Sequence, residues 1–197
     1  MSSHATRPTP WTQEEFFAWA ATQEIRYEFD GEQPVAMTGG DAGHALVMRG
    51  LHRSLDARLP LGHPFQPLGP EAGVEIVSGT QRPIRYPDAL VTCSPFNLSD
   101  KTIPGVVIVF EVLSQTSSRR DRIVKVREYA TVSSIRRYII LESSSIGLTV
   151  MERIDPTETW RTTVLTSGDV LRIPEIGIEV PVDEIYIGIP FQNQDDT

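Results

Sequence analysis

Apolar residues at helical spacing predict three helices. Thr12 followed by Glu15 forms a capping box, so the first helix is expected from Thr12 to about Ala21. The second is expected from about His44 to Leu59, where an apolar residue recurs at every fourth position. The third, Arg119 to Tyr129, begins with a cluster of cations. Its predicted apolar side consists of Ile123, Val126 and Ala130.

Strands are predicted where β-branched and aromatic residues are massed between turn signals. Two runs, Arg85 to Cys93 and Val106 to Ser114, are typical of buried strands, and Arg136 to Leu141 forms another after the third helix. The order strand, strand, helix, strand predicts an α/β core. Asp30-Gly31 and the loop from Gly79 to Arg82 each indicate a hairpin. The other predicted strands are Ile25–Phe29, Pro34–Thr38, Gly73–Val77, Tyr86–Val91, Gly147–Arg153, Thr159–Leu165 and Ile173–Val180.

The strands after Gly147 are expected to form a β-rich C-terminal extension of the same sheet, because no linker precedes them. A chain of 197 residues with 40% hydrophobic content is long enough to bury one sizeable core. We therefore expect a flexible lead at residues 1–10, a single domain at residues 11–190 and a disordered tail at residues 191–197.

Composition narrows the classes of function. The formal charge of −8 argues against a surface that coats nucleic acid, so any DNA contact is expected to be local. Cys93 is the only cysteine, which excludes an intrachain disulfide and a cysteine-rich zinc site, and we expect a small buried thiol there. No apolar run approaches the roughly 20 residues of a membrane span. We expect a cytoplasmic protein with no membrane contact.

Two predicted strands each carry an acidic residue where an apolar one would pack better, Asp88 and Glu111. On the third helix, Asp121, Lys125 and Tyr129 lie at i, i+4 and i+8, next to the apolar side. Two strand carboxylates and a helical lysine suggest a metal-assisted hydrolytic site. Neither a G-x-S-x-G elbow nor a G-x-x-x-x-G-K-[ST] loop is present, so serine hydrolase and nucleotide-driven chemistry have no support, and no organic cofactor is expected.

An ordered series of short motifs resembles the Uma-two family of restriction endonucleases, within the PD-(D/E)xK nuclease superfamily. The resemblance spans about Thr12 to Val180 and implies a restriction-endonuclease-like fold, with a central mixed β-sheet flanked by helices. The motifs are Y-E-F-D-G-E at Tyr27–Glu32, His44 at the start of a helix, Y-P-D at Tyr86–Asp88, E-V-L-S at Glu111–Ser114 and D-x-x-x-K-x-x-x-Y at Asp121–Tyr129.

The sequence departs from this pattern at two places. Leu113 stands where the superfamily has its lysine, so the resemblance assigns the lysine role to Lys125 on the following helix. The segment usually written S-P-S-T reads Ser114-Gln115-Thr116-Ser117. The second departure concerns a turn and leaves the carboxylates in place.

The resemblance also implies a division of roles. Asp88 and Glu111 would bind Mg²⁺, with Mn²⁺ as a possible substitute, since this ion needs only one or two carboxylates besides water and phosphate. Lys125, held by Asp121, would stabilise the attacking water or the scissile phosphate. Glu28 would add a third carboxylate or orient a metal-bound water. His44 would contact phosphate or assist proton transfer.

The expected function is a Mg²⁺-dependent endonuclease that hydrolyses phosphodiester bonds of DNA, acting as a homodimer because cutting both strands most simply needs two sites. The alternative is a catalytically inactive nuclease fold that serves as a nucleic-acid-binding or dimerisation module. Each candidate also has a purely structural explanation. A strand carboxylate such as Asp88 or Glu111 can cap a turn, and Lys125 can form an exposed pair with Asp121. Glu28 suits an exposed hairpin, and His44 suits the start of a helix. Arg119, Arg120, Arg122 and Arg127 form either a phosphate track or a solvated helix face.

Overall fold

The computed structural model describes residues 10–37, 39–77, 79–113 and 119–191, with only the backbone at residues 119–122. Several expectations lie outside these residues: the flexible lead, the disordered tail, the Ser114–Ser117 turn, and the side chains of Asp121 and of the arginines at 119, 120 and 122. The helices are α1 (Gln13–Ala20), α2 (Ala42–Arg58), α3 (Arg119–Thr131) and α4 (Val182–Ile185). The strands are β1 (Tyr27–Phe29), β2 (Pro34–Ala36), β3 (Gln66–Leu68), β4 (Val74–Glu75), β5 (Ile84–Arg85), β6 (Ala89–Thr92), β7 (Val106–Leu113), β8 (Arg137–Glu142), β9 (Leu148–Glu152), β10 (Arg161–Leu165), β11 (Val170–Ile173) and β12 (Ile178–Pro181).

A six-stranded mixed sheet in the order β10-β9-β8-β7-β6-β3 forms the centre of the fold. β7 and β8 are parallel, while the other neighbours are antiparallel. Parallel neighbours require a crossover connection, and α3 supplies it between β7 and β8. The predicted α/β class, with a central mixed sheet flanked by helices, is therefore confirmed.

The two faces of this sheet bury different helices. Along β7 the side chains alternate, so Phe110 joins Leu51 of α2 in one hydrophobic core, and Val109 joins Tyr129 of α3 in the other. Glu111 lies in the row that faces α3, between two apolar neighbours. All eight residues of β7 are buried, so the sequence places this carboxylate inside the protein.

A smaller sheet, β2-β1-β5-β4, packs beside α1 and brings Glu28 and Arg85 close together. The predicted capping box is present, with the Thr12 side chain accepting a hydrogen bond from the Glu15 amide. Phe16 of α1 stacks on Phe29 of β1 with ring centroids 5.2 Å apart. These contacts fix β1, the strand that carries Glu28, against the rest of the chain.

The strand predicted at Tyr86–Val91 is wrong. β4 and β5 form the expected hairpin, but the chain leaves the small sheet after Arg85 and enters the central sheet only at Ala89. Pro87, which has no amide hydrogen to donate to a ladder, lies in this passage. Asp88 therefore precedes a strand and does not lie within one.

The β-rich C-terminal extension is only partly correct. β9 and β10 continue the central sheet, but β11 and β12 pair in a separate two-stranded sheet. The single strand expected at Ile173–Val180 is interrupted by a turn in which Gly177 has φ +70°, a conformation that favours glycine. Neither β3 nor α4 was predicted.

Two smaller expectations about burial are wrong. Cys93 is exposed, not buried. In α3 the predicted apolar side fails at Ile123, which is 46% exposed, because the helix turns Tyr129 towards the sheet instead. No helix in the described ranges is long and apolar enough to cross a membrane.

Candidate active site

Asp88, which immediately precedes β6, and Glu111 of the neighbouring β7 lie side by side in the central sheet. Ala89 pairs with Phe110 in the antiparallel register of β6 and β7, so the residue before Ala89 lies beside the residue after Phe110. The Asp88 carboxylate accepts a hydrogen bond from the Val112 amide, with Oδ2 and N 2.6 Å apart. This bond fixes the orientation of Asp88 across the two strands.

His44 approaches the same carboxylate from the first turn of α2. The helix begins after Asp41, whose side chain accepts a hydrogen bond from the His44 amide. His44 Nε2 lies 3.1 Å from Asp88 Oδ1. This hydrogen bond raises the pKa of His44, against the opposing effect of burial, so the pair favours a protonated imidazole that donates to Asp88.

Glu111 is held by two side chains from α3. Lys125 Nζ lies 3.0 Å from Glu111 Oε1, and the Tyr129 hydroxyl donates to the same oxygen at 3.2 Å. Lys125 and Tyr129 are four residues apart and so lie on one helix face, as the sequence predicted. Lys125 and Tyr129 therefore both contact Oε1 of Glu111.

Glu28 is the third carboxylate of the cluster. Its Oε1 lies 3.3 Å from Lys125 Nζ and accepts a hydrogen bond from the Tyr86 amide, while its Oε2 accepts one from Arg85 at 3.2 Å. Arg85 also forms a bidentate pair with Glu128 of α3, with distances of 2.7 and 2.6 Å. Lys125 and Arg85 thus connect β1 and β5 to α3 and the central sheet.

The charges in this cluster are unusually well shielded from water. Burial raises the pKa of Glu111 to about 7, and the negative charges of Asp88 and Glu28 add to the rise, while Lys125 opposes it. Burial likewise raises the pKa of the Tyr129 hydroxyl, so this group remains a proton donor. The carboxylate of Glu111 is therefore only partly compensated by its neighbours.

The donor set is suitable for Mg²⁺. Among the described side chains, the cluster contains four carboxylates, Glu28, Asp88, Glu111 and Glu128, and, besides His44, two basic side chains, Lys125 and Arg85. No group of three or more His, Cys, Asp or Glu side chains within the described ranges encloses a metal on its own. Two oxygen-donating carboxylates with room for water and phosphate are what Mg²⁺ requires, whereas a structural zinc site would need four protein ligands.

The structure brings together all five residues predicted for the site: Asp88, Glu111, Lys125, Glu28 and His44. The expected exposure of Lys125 is wrong, because its side chain is 13% exposed and contacts Glu28 and Glu111, whereas its expected pairing with Asp121 lies outside the described side chains. Glu28 is buried, so it is not the exposed glutamate of an ordinary hairpin.

Arg85 and Glu128 complete the cluster and were not predicted. The available signal for Arg85 was a cation inside an otherwise apolar strand run. Glu128 follows Lys125 by three residues, a spacing that places both on neighbouring parts of one helix surface. Their pairing depends on the contact between two distant segments, which no local pattern reveals.

Two known proteins are similar to this chain over most of its length. The crystal structure of a putative nuclease belonging to DUF820 from Anabaena variabilis ATCC 29413 aligns with a TM-score of 0.69 at 12% identity, covering 90% of this chain and 98% of that one. An uncharacterized protein of Synechocystis sp. strain PCC 6803 is 29% identical over 179 residues, covering 90% of this chain and 92% of the relative. The likeness to the Anabaena structure shows that the two chains share a fold.

Residues 13–183 match the Uma2 family, described as "Putative restriction endonuclease". The match covers most of the chain. The protein belongs to the Uma2 family, which confirms the resemblance found in the sequence motifs.

Proposed function

We propose that this protein is a Mg²⁺-dependent endonuclease that hydrolyses phosphodiester bonds of DNA. The observation that carries this proposal is the position of the Lys125 ammonium, 3.0 Å from a buried and only partly compensated carboxylate, Glu111, beside Asp88. Family membership and the shared nuclease fold support the class of reaction. The metal, the choice of DNA and the residue roles are our inference.

In this proposal, Asp88 and Glu111 hold the Mg²⁺ ion. Asp88 is prepared for this role because its carboxylate is fixed by the Val112 amide and by His44. Glu111 is prepared because Lys125 and Tyr129 restrain Oε1. A bound Mg²⁺ ion would lower the pKa of a coordinated water and polarise the phosphoryl oxygen.

Lys125 supplies the positive charge of the protein itself. Its ammonium donates to the attacking water or to a non-bridging phosphate oxygen, and a positioned cation in a shielded site is worth more than one in bulk water. Glu28 also restrains Lys125, with Oε1 3.3 Å from the ammonium. His44 Nε2 orients Asp88 and is the group closest to it that can pass a proton to the leaving oxygen.

The assembly that we propose is a homodimer. Each chain contributes one cluster of this kind, and cleavage of both strands of a duplex most simply uses two such clusters related by a twofold axis. Size-exclusion chromatography with light scattering measures the mass directly. A monomer at concentrations that cut both strands would contradict this part of the proposal.

The test of function is nicking of supercoiled plasmid. Wild type should nick with Mg²⁺ or Mn²⁺ and stop when EDTA is added, while Asp88→Asn and Glu111→Gln should lose at least about a hundredfold in rate. Arg172→Gln is a matched control, because its ion pair with Glu179 is exposed and lies in β11 and β12. Its rate should equal that of wild type.

The same experiment separates the alternative. A folded wild-type protein that binds DNA or dimerises but never nicks it, with either metal, would favour the inactive-module hypothesis. A parallel reaction with a structured RNA decides between substrates, since cleavage of RNA alone would overturn the choice of DNA.

A further inference from the structure

Arg85 is a buried cation of the site cluster to which the proposed chemistry assigns no role. Its guanidinium is divided between two acids on different elements, with a bidentate pair to Glu128 of α3 and a single bond to Glu28 of β1. Only 8% of its side chain is exposed. A planar fork with several donors can satisfy both acids at once, which a lysine ammonium cannot do with the same geometry.

The position of Arg85 matters because Glu28 and Glu111 compete for Lys125. The Lys125 ammonium lies 3.3 Å from Glu28 and 3.0 Å from Glu111, so a small change in the charge of either acid can move it. Arg85 partly neutralises Glu28 through Oε2. Without Arg85, Glu28 would be a buried anion. Among the described contacts, its remaining cationic partner would be Lys125.

Arg85 also fixes the position of the helix turn that carries Lys125. Glu128 lies three residues after Lys125 on α3, and its two bonds to Arg85 anchor that turn of the helix over the small sheet. The Arg85 guanidinium therefore influences both the position of α3 and the charge balance at Glu28, the acid that competes with Glu111 for Lys125.

We propose that Arg85 is a positioning residue that keeps the Lys125 ammonium on Glu111 by binding Glu28 and Glu128 together. This inference rests on the proposed nuclease function for its kinetic consequence, but its structural consequence does not require activity. Arg85 itself contacts neither metal nor substrate in this scheme. It acts through Lys125.

The competing explanation is that Arg85 only stabilises the fold. The chain offers a matched control for that explanation, because Arg58 forms a bidentate pair with Glu184 at 2.7 and 2.8 Å and joins α2 to α4 instead of joining the site. Arg58→Gln and Arg85→Gln each remove one bidentate arginine. A purely structural role predicts that both lower the Tm and that neither changes kcat per folded molecule.

The test combines kinetics and crystallography on Arg85→Gln, Arg85→Lys and Arg58→Gln. For Arg85→Gln we expect kcat for plasmid nicking to fall about 10- to 100-fold, the scale of a displaced electrostatic group, with KM within about threefold of wild type. Arg85→Lys, which keeps the charge but not the fork, should lose less. Arg58→Gln should keep kcat within about twofold.

The crystal structure of Arg85→Gln without metal supplies the readout that is independent of activity. Lys125 Nζ should remain on Glu28 and move beyond hydrogen-bond distance of Glu111, more than about 3.5 Å away. If Arg85→Gln does not fold, the structure of Arg85→Lys replaces it, with a partial shift expected.

An unchanged contact between Lys125 and Glu111, or a kcat for Arg85→Lys and Arg85→Gln equal to that of wild type, would overturn the inference. A wild type that never cleaves would instead refute the nuclease proposal. The position of Lys125 in the Arg85 variant would then still decide whether Arg85 keeps the ammonium on Glu111.

Discussion

Lys125→Met removes the ammonium of the candidate site while retaining most of the side-chain volume and the helix propensity. In the structure this ammonium is the nearest described cation to Glu111, at 3.0 Å. The substitution should therefore change both the free energy of unfolding and the rate of cleavage. The effect on the free energy of unfolding should change with pH, because it depends on the titration of Glu111.

The magnitude follows from the titration of Glu111. Burial raises the pKa of Glu111 from 4.5 to about 7. A carboxyl whose folded pKa is raised contributes stability that is complete below the unfolded pKa and is lost as pH rises through the folded pKa. For wild type without metal, this loss amounts to about 3 kcal/mol between pH 4.5 and 7, at 1.36 kcal/mol per unit.

Loss of the ammonium should raise the pKa of Glu111 further, because an opposite charge at this distance lowers a carboxyl pKa by about 1–3 units. The loss of stability then continues above pH 7 in the variant. The difference in unfolding free energy between wild type and Lys125→Met should be smallest near pH 5 and should widen by about 1–2 kcal/mol by pH 8.5, because at most about 1.5 pH units separate pH 8.5 from the wild-type pKa of about 7. If the substitution only removed contact area, the difference in unfolding free energy would not change with pH.

Urea unfolding at several pH values in EDTA measures this difference, and plasmid nicking with Mg²⁺ measures the catalytic effect. The rate should fall about a hundredfold or more. Lys101→Met is the matched control, because Lys101 is the only other lysine and is exposed. It should leave both curves unchanged.

Parallel stability curves for wild type and Lys125→Met across this pH range would refute the reasoning, because they would show that Lys125 does not influence the charge of Glu111. Wild-type cleavage by the variant would remove Lys125 from the catalytic site.

Three further substitutions test other parts of the structure. Glu111→Gln should abolish nicking and, in EDTA, should remove the stability loss of about 3 kcal/mol between pH 4.5 and 7, as measured by urea unfolding. Tyr129→Phe deletes a hydroxyl that donates to Glu111 inside a fully buried site, so thermal melts should show a loss of about 1–2 kcal/mol, and nicking should slow. Gly50→Ala should strongly destabilise the fold, because the new Cβ would lie 1.8 Å from the Ile185 carbonyl oxygen, whereas Gly39→Ala, with nothing within 4 Å, should melt like wild type.

The fold was largely predictable because its core elements have clear periodicity. β7 was predicted with nearly correct ends, and the capping box placed the start of α1. The failures occurred where tertiary contacts decide the structure. Tyr86–Asp88 passes between two sheets instead of extending one strand, and β11 pairs with β12 alone.

The site was predictable as a set of residues but not as a set of contacts. Motif order identified Asp88, Glu111 and Lys125, since each occupies a distinct element. The partners of Lys125 could not be inferred, because Glu28 belongs to a hairpin of a different sheet and the nearest local acid was Asp121. Arg85 and Glu128 were missed for the same reason: their pairing exists only once β5 and α3 meet.

The two ion-pair groups of the cluster, Arg85 with Glu128 and Lys125 with Glu111, differ in how fully their charges are compensated. Arg85 and Glu128 compensate each other with two short bonds, and Arg85 has a further donor for Glu28. Glu111 differs, because its pKa remains raised to about 7 although Lys125 and Tyr129 both contact it. At position 111 an apolar residue like the neighbouring Val109 would bury no charge and would avoid this cost. Retaining an incompletely compensated carboxylate next to Asp88 is therefore unfavourable for stability alone, and it is understandable if a divalent cation completes the charge balance during function.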